Sequence, residues 1–350
     1  MQASIRGLGF LLLSTVVTAQ TSTSCNPTEK TCSSDTGLDS TSYSVDFTQG
    51  SSDDWNVTYG SVTYDSNNGA TFTISESGDA PTIQTNFYIF FGVVSIFLKA
   101  ATGTGIVSSA ILESDDLDEI DWEWLGGSAD EVETNYFGKG NTSSYDRADY
   151  YQIDDTQSSD RNYTIVWTKE ATTWYVDGEL KRTLNYADAV DGTNYPQTPM
   201  RVKLGVWAGG DSSNSEGTIE WAGGSTNYDD GPFNMYVTKV EITNYNPAST
   251  YTYSDTTGDY SSITLNDADA DTSSDSSSGS SSTSSISDSS SISNATASNS
   301  TSSNSSASSS SAAGSTSSPA DVSGTAGDAA TIPGFLVLGV GAMAMAFMMV

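Results

Sequence analysis

The chain has 350 residues, with 12 basic residues against 44 acidic ones, no histidine and a formal net charge of -32. That balance repels phosphate backbones and anionic lipid surfaces, which excludes nucleic acid as a partner. Without histidine, Ser-His-Asp and Cys-His nucleophile systems are unavailable and a zinc site lacks its commonest ligand, so no metal and no cofactor is expected and acid–base chemistry is left to carboxylates, tyrosine or lysine.

Residues 1–19 read as a signal peptide: Arg6, an apolar run from Gly9 to Val17, then the small-residue pattern Val17-Thr18-Ala19. In an exported chain the close pair Cys25 and Cys32 is expected to form a disulfide that pins the N-terminal segment. Residues 20–263 are rich in Thr, Val, Ile, Tyr and Trp in short alternating runs between Gly, Asn, Asp and Ser clusters. Examples are Thr71–Ile74, Phe87–Phe91, Tyr163–Trp167, Trp174–Gly178 and Tyr236–Ile242. Helical periodicity is nearly absent, and so many short strands predict an all-β fold, a jelly-roll β-sandwich of two sheets. Sequons at Asn56, Asn141 and Asn162 are expected on its surface.

Residues 264–323 are almost entirely Ser, Thr, Ala, Asn, Gly and Asp, a composition that cannot bury enough apolar surface to offset chain entropy. This stretch is expected to be a disordered stalk, glycosylated at Asn294, Asn299 and Asn304 and on its hydroxyls. Residues 324–350 end in an apolar run, Phe335–Val350, preceded by Ser323, Gly324 and Thr325, the pattern of a GPI-attachment signal with Ser323 as the attachment residue. That run falls short of the roughly 20 residues a spanning helix needs, so the mature protein is expected to meet the membrane only through its anchor, as a secreted, surface-held monomer.

The most informative segment is Leu117-Asp118-Glu119-Ile120-Asp121-Trp122-Glu123-Trp124. On a strand, Glu119, Asp121 and Glu123 share one face while Ile120, Trp122 and Trp124 fill the other. Three carboxylates in a row repel, which a strand kept only for folding would avoid. Positions four apart lie about 13 Å apart at Cα, and glutamates leaning together can bring their carboxyls near the roughly 5–5.5 Å of a retaining glycosidase. Asp121 between them would raise the proton affinity of the set and help one glutamate stay protonated. Further along, Arg201, Lys203 and Trp207 share a strand face opposite Val202, Leu204 and Val206, and suit hydroxyl recognition and stacking on a sugar.

Glu119-Ile120-Asp121-Trp122-Glu123 fits the E-x-D-x-E signature of glycoside hydrolase family 16, and the surroundings resemble its fungal Crh branch. The matching stretches are Cys25–Cys32, Gly105–Ser109, Ser114–Asp118, Thr134–Gly140, Tyr195–Arg201, Trp207–Asp211 and Gly217–Gly224. The resemblance implies a concanavalin-like jelly roll and a transglycosylase that cuts a chitin donor and joins the released end to a β-glucan acceptor, crosslinking the cell wall. By the same resemblance Glu119 is the nucleophile, Asp121 the auxiliary carboxylate and Glu123 the general acid/base. Lys203, Trp207 and Thr218 resemble family substrate contacts, with Arg201, Lys139 and Asn135 as further candidates. The alternative is a noncatalytic, lectin-like surface protein, for which three repelling carboxylates would serve no purpose.

Overall fold

The computed structural model describes residues 23–266; the expected signal peptide, most of the expected stalk, the expected attachment signal, Asn294, Asn299, Asn304 and Ser323 lie outside the described residues. The strands are, in order, β1 (Asp35–Thr36), β2 (Ser42–Asp46), β3 (Trp55–Tyr59), β4 (Val62–Asp65), β5 (Gly69–Ile74), β6 (Thr82–Thr85), β7 (Gly92–Lys99), β8 (Ile106–Ser114) and β9 (Glu119–Leu125). There follow β10 (Glu131–Phe137), β11 (Asp149–Gln152), β12 (Arg161–Trp167), β13 (Ala171–Val176), β14 (Glu179–Asn185), β15 (Met200–Ala208), β16 (Phe233–Asn244), β17 (Thr250–Tyr253) and β18 (Ile263–Asn266). Among the described residues one short α-helix, α1 (Glu216–Trp221), lies between β15 and β16.

Strict alternation explains the layers. In β7 and β12 every second residue is buried, so Val94, Ile96, Leu98, Tyr163, Ile165 and Trp167 pack inward while their neighbours face solvent. These strands belong to a sheet of order β14-β13-β12-β7-β16-β5-β4, with β2 also paired to β16. The second sheet runs β11-β10-β9-β8-β15-β6-β3, and every pairing within it is antiparallel. The core between the sheets takes Ile120, Trp122 and Trp124 from β9, none with exposed surface. Tyr163 meets both indoles edge-on, at 5.5 and 4.6 Å between centroids, and Trp174 Nε1 on β13 donates to the Asp121 carbonyl at 3.0 Å, tying the sheets together beneath the acidic strand. A small sheet of β1, β17 and β18 closes one end.

The sandwich agrees with the sequence reading, with one local difference. Phe87–Phe91 is a buried connection between β6 and β7 with isolated bridges from Tyr88 to Gly37 and Ile89 to Met200, and Phe91 has φ +56°. All five side chains are buried, so the run lacks the alternation of a two-faced strand and plugs the end of the core. Trp174–Gly178 behaves as expected: β13 ends at Val176, and Asp177 and Gly178, both at positive φ, make the hairpin turn into β14.

Candidate active site

The face of the second sheet turned away from the core forms a grid, because directly opposed residues in an antiparallel ladder point the same way. Glu119, Asp121 and Glu123 form its middle column, and each is at least 96 % buried. The row through Glu119 contains Arg201, Glu113, Glu119 and Phe137. The row through Asp121 contains Asn56, Gln84, Lys203, Ile111, Asp121 and Asn135. The row through Glu123 contains Gly205, Ser109, Glu123, Glu133 and Tyr150. Beyond it, Trp207 and Val107 stand beside Leu125. The recess therefore holds five acids, since Glu113 and Glu133 join the three on β9.

Burial dominates the electrostatics of these acids, pushing the carboxyls of Glu119, Asp121 and Glu123 well above their usual range. The charges of Asp121 and Glu113 push Glu119 further, and Lys203 opposes them. Lys203 Nζ is in direct contact with Glu113 Oε2, so one ammonium serves both acids. Asp121 stands between Glu119 and Glu123, close enough to Glu119 for the two to share a proton, although neither Asp121 oxygen meets a donor at normal hydrogen-bond geometry. Around Glu123, the charges of Glu133 and then Glu119 favour the protonated acid, while Ser109 favours the anion.

The sequence-derived contacts divide into those at the recess and those beside it. Arg201, Lys203, Trp207 and Asn135 all lie on the acidic face. Trp207 stacks on Trp221 of α1 at 6.0 Å between centroids, and the pair packs with Val107, Ile111 and Ala222 as a second apolar cluster apart from the main core. Thr218 is buried within α1, and its hydroxyl bonds that of the N-cap residue Ser215 at 2.7 Å. Lys139 lies off the grid: at φ +52° just past β10, its amide donates to Asp118 Oδ1 at 2.9 Å, and its ammonium is buried beside Asp116 and Asp118. A Cβ on Gly258, at φ +67°, would sit 2.5 Å from Asp116 Oδ2 and 2.7 Å from Lys139 Cε, so the backbone packs tightly against this knot.

Past Glu113 the recess opens into a cavity of about 550 Å³ lined by Asp35, Tyr88, Asp115, Arg201, Lys203 and the N-terminal segment. Cys25 and Cys32 are joined by a disulfide in that segment, with Cα atoms 5.9 Å apart. Arg201 lies over the Tyr88 ring at 4.3 Å, and Tyr88 donates to Asp115 at 2.6 Å. Burial, followed by the Asp115 charge, pushes Asp35 up to about 8. Of the sequons, Asn56 is exposed at the rim of the grid, while Asn141 and Asn162 are partly buried; the Asn141 amide donates to Asn194 at 2.9 Å.

Residues 50–223 match the model of glycosyl hydrolases family 16. The chain is 62 % identical over 245 residues to Crh-like protein 1 of Aspergillus fumigatus, covering 70 % of this chain and 66 % of that protein. It is 56 % identical over 257 residues to Crh-like protein 5 of the same species, covering 73 % and 65 % respectively. The structure of apo Crh5 transglycosylase, 56 % identical, superposes with a TM-score of 0.67 over all of that chain and 69 % of this one. The chain belongs to glycosyl hydrolases family 16. A Crh5 transglycosylase structure in complex with NAG matches equally well, with a TM-score of 0.68. The chain spans 66 % and 65 % of the length of those two curated relatives.

Sequence reasoning missed Glu113 and Glu133, although both alternate with inward-facing residues, Leu112 and Val132, on their own strands. Finding them requires the register that sets them opposite Glu119 and Glu123. Trp221 lies in the matched stretch Gly217–Gly224, but its stacking on Trp207 was not legible because a six-residue helix leaves almost no periodic signal.

Proposed function

We propose that this protein is a retaining cell-wall transglycosylase that cleaves chitin and transfers the released end to β-glucan. The observation that carries the reading is the buried column Glu119, Asp121 and Glu123, two glutamates four residues apart on one strand face with a shared acid between them. Glu123 gives its proton to the glycosidic oxygen as the leaving saccharide departs, and the Glu119 carboxylate attacks the anomeric carbon to form a glycosyl ester. Glu123, now anionic, takes the proton from an acceptor hydroxyl, which attacks the same carbon and releases Glu119. Lys203 favours the anionic Glu119 that the first step needs. Asp121 takes part in proton sharing with Glu119, so it redistributes charge as the ester forms and breaks.

The donor class follows the Crh-like relatives and the Crh5 complex with NAG. Trp207 offers a ring for an acceptor sugar, and the cavity beneath the disulfide-bearing segment has room for sugars beyond the reacting one. Signal peptide, glycosylated stalk and GPI anchor complete the proposal: a secreted, monomeric protein held at the cell surface and in the wall. Incubating the purified protein with chitin oligomers and a fluorescent β-glucan oligosaccharide tests it. A fluorescent hybrid product is expected. Binding without any hybrid or hydrolysed product would instead identify a lectin.

A further inference from the structure

The recess holds a buried acid that the double displacement does not use. Glu133 is 1 % exposed and stands directly across the β9–β10 ladder from Glu123, which sets their Cβ atoms about 4.5–5.5 Å apart on one face. Its Oε2 accepts from Trp221 Nε1 at 2.9 Å, and Trp221 in turn stacks on Trp207. Tyr150 stands across from it on β11. A neutral amide could hold the indole equally well, so what an acid adds here is its effect on Glu123. We propose that Glu133 is a positioning residue: paired with Glu123 across the ladder, it keeps a proton within the pair so that Glu123 is held as the acid, and it fixes Trp221 against Trp207.

The inference rests on the acid/base role proposed for Glu123. Two carboxylates buried side by side cannot readily ionise together, because each anion disfavours the other. Burial pushes Glu133 up to about 7, and the Trp221 hydrogen bond opposes it. Burial and then the Glu133 charge push Glu123 upward. Of the other groups facing the pair, Tyr150 and Arg182 favour the Glu133 anion and Ser109 the Glu123 anion, but burial outweighs them. Asp121 and Glu119 on β9 and Glu131 on β10 are acids, Tyr150 is neutral, and Arg182 of β14 spends its donors on the Thr134 and Arg147 carbonyls and on Asp149.

The test uses Glu133→Gln in the full chain, which keeps an acceptor for Trp221 and removes only the ionisable group. The alkaline limb of its kcat/KM profile should move to lower pH, because Glu123 then loses its proton more readily; Glu133→Ala should lose turnover at every pH as the indole is released as well. An alkaline midpoint within about 0.2 pH unit of the parent's in Glu133→Gln would overturn the inference. Tryptophan fluorescence of the unliganded protein supplies a readout independent of catalysis. The parent should show a step at a pH of about 7, and Glu133→Gln should lack it. The same step in both proteins also overturns the inference, whereas a parent that neither cleaves nor transfers sinks the proposed function and leaves the fluorescence comparison decisive.

Discussion

At the scale of single residues, the strongest inference available from sequence was the alternation of Glu119, Asp121 and Glu123 against Ile120, Trp122 and Trp124, and the structure places the two sets on opposite faces of β9 as that period requires. What alternation cannot supply is which acids lie across the ladder, and so the five-acid recess was legible only in its middle column. Glu119→Gln and Glu123→Gln each remove one proton or nucleophile role and almost no volume, so each should leave below about 1 % of transfer activity in a folded protein. Asp121→Asn, which weakens proton sharing without removing a reacting group, should retain more. Hybrid-product formation together with circular dichroism checks all three, and substantial activity in either glutamine variant would contradict the assignment.

At the scale of elements, the connection from β8 to β9 fixes where the acidic strand starts. Asp118 Oδ1 accepts from the Lys139 amide at 2.9 Å, and Oδ2 accepts from the Gln197 amide at 2.7 Å and the Thr198 hydroxyl at 3.0 Å. Asp116 accepts from Ser114 and Thr198 beside it, each at 2.5 Å. In sequence Ser114–Asp118 looked like a family motif without a stated purpose, because the partners lie 21 to 82 residues away. Asp118→Ala would leave buried amides of Lys139 and Gln197 unpaired, at about 1–3 kcal/mol each. The variant should lose stability by several kcal/mol in urea unfolding, and Asp118→Asn by less. A loss below about 0.5 kcal/mol in the alanine variant would show that the connection does not depend on this knot.

At the scale of the whole molecule, the all-β sandwich could be read from composition and period-two runs, while the pairing order and the wall formed by the N-terminal segment could not, since both arise from contacts between distant strands. The buried acids also give the fold a pH dependence with a definite sign. Burial raises Asp118 and Asp35 to about 8 and Glu133 to about 7, and raises the β9 acids as well. Folded-state values above the unfolded ones mean that the native chain holds extra protons, so their contribution is fully present below about pH 4 and is lost as pH rises through 7 to 8. Asp211, held low against burial by hydrogen bonds from Ser77, Tyr228 and Ser213, works in the opposite sense but only in stronger acid. The melting temperature should therefore be higher near pH 5 than near pH 8.5 at constant ionic strength. A melting temperature that is equal or higher at the alkaline end would contradict the electrostatic account.

The central claim is that Glu119 forms a covalent bond to the sugar while Glu123 manages the proton. It is tested most directly by trapping the protein with a slow fluorinated chitin-oligomer donor and mapping the adduct by peptide mass spectrometry. The account predicts a glycosyl mass on the peptide carrying Glu119, absent in Glu119→Gln, and a first-formed product that keeps the donor's anomeric configuration. Turnover with an inverted first product and no adduct on Glu119 would contradict it.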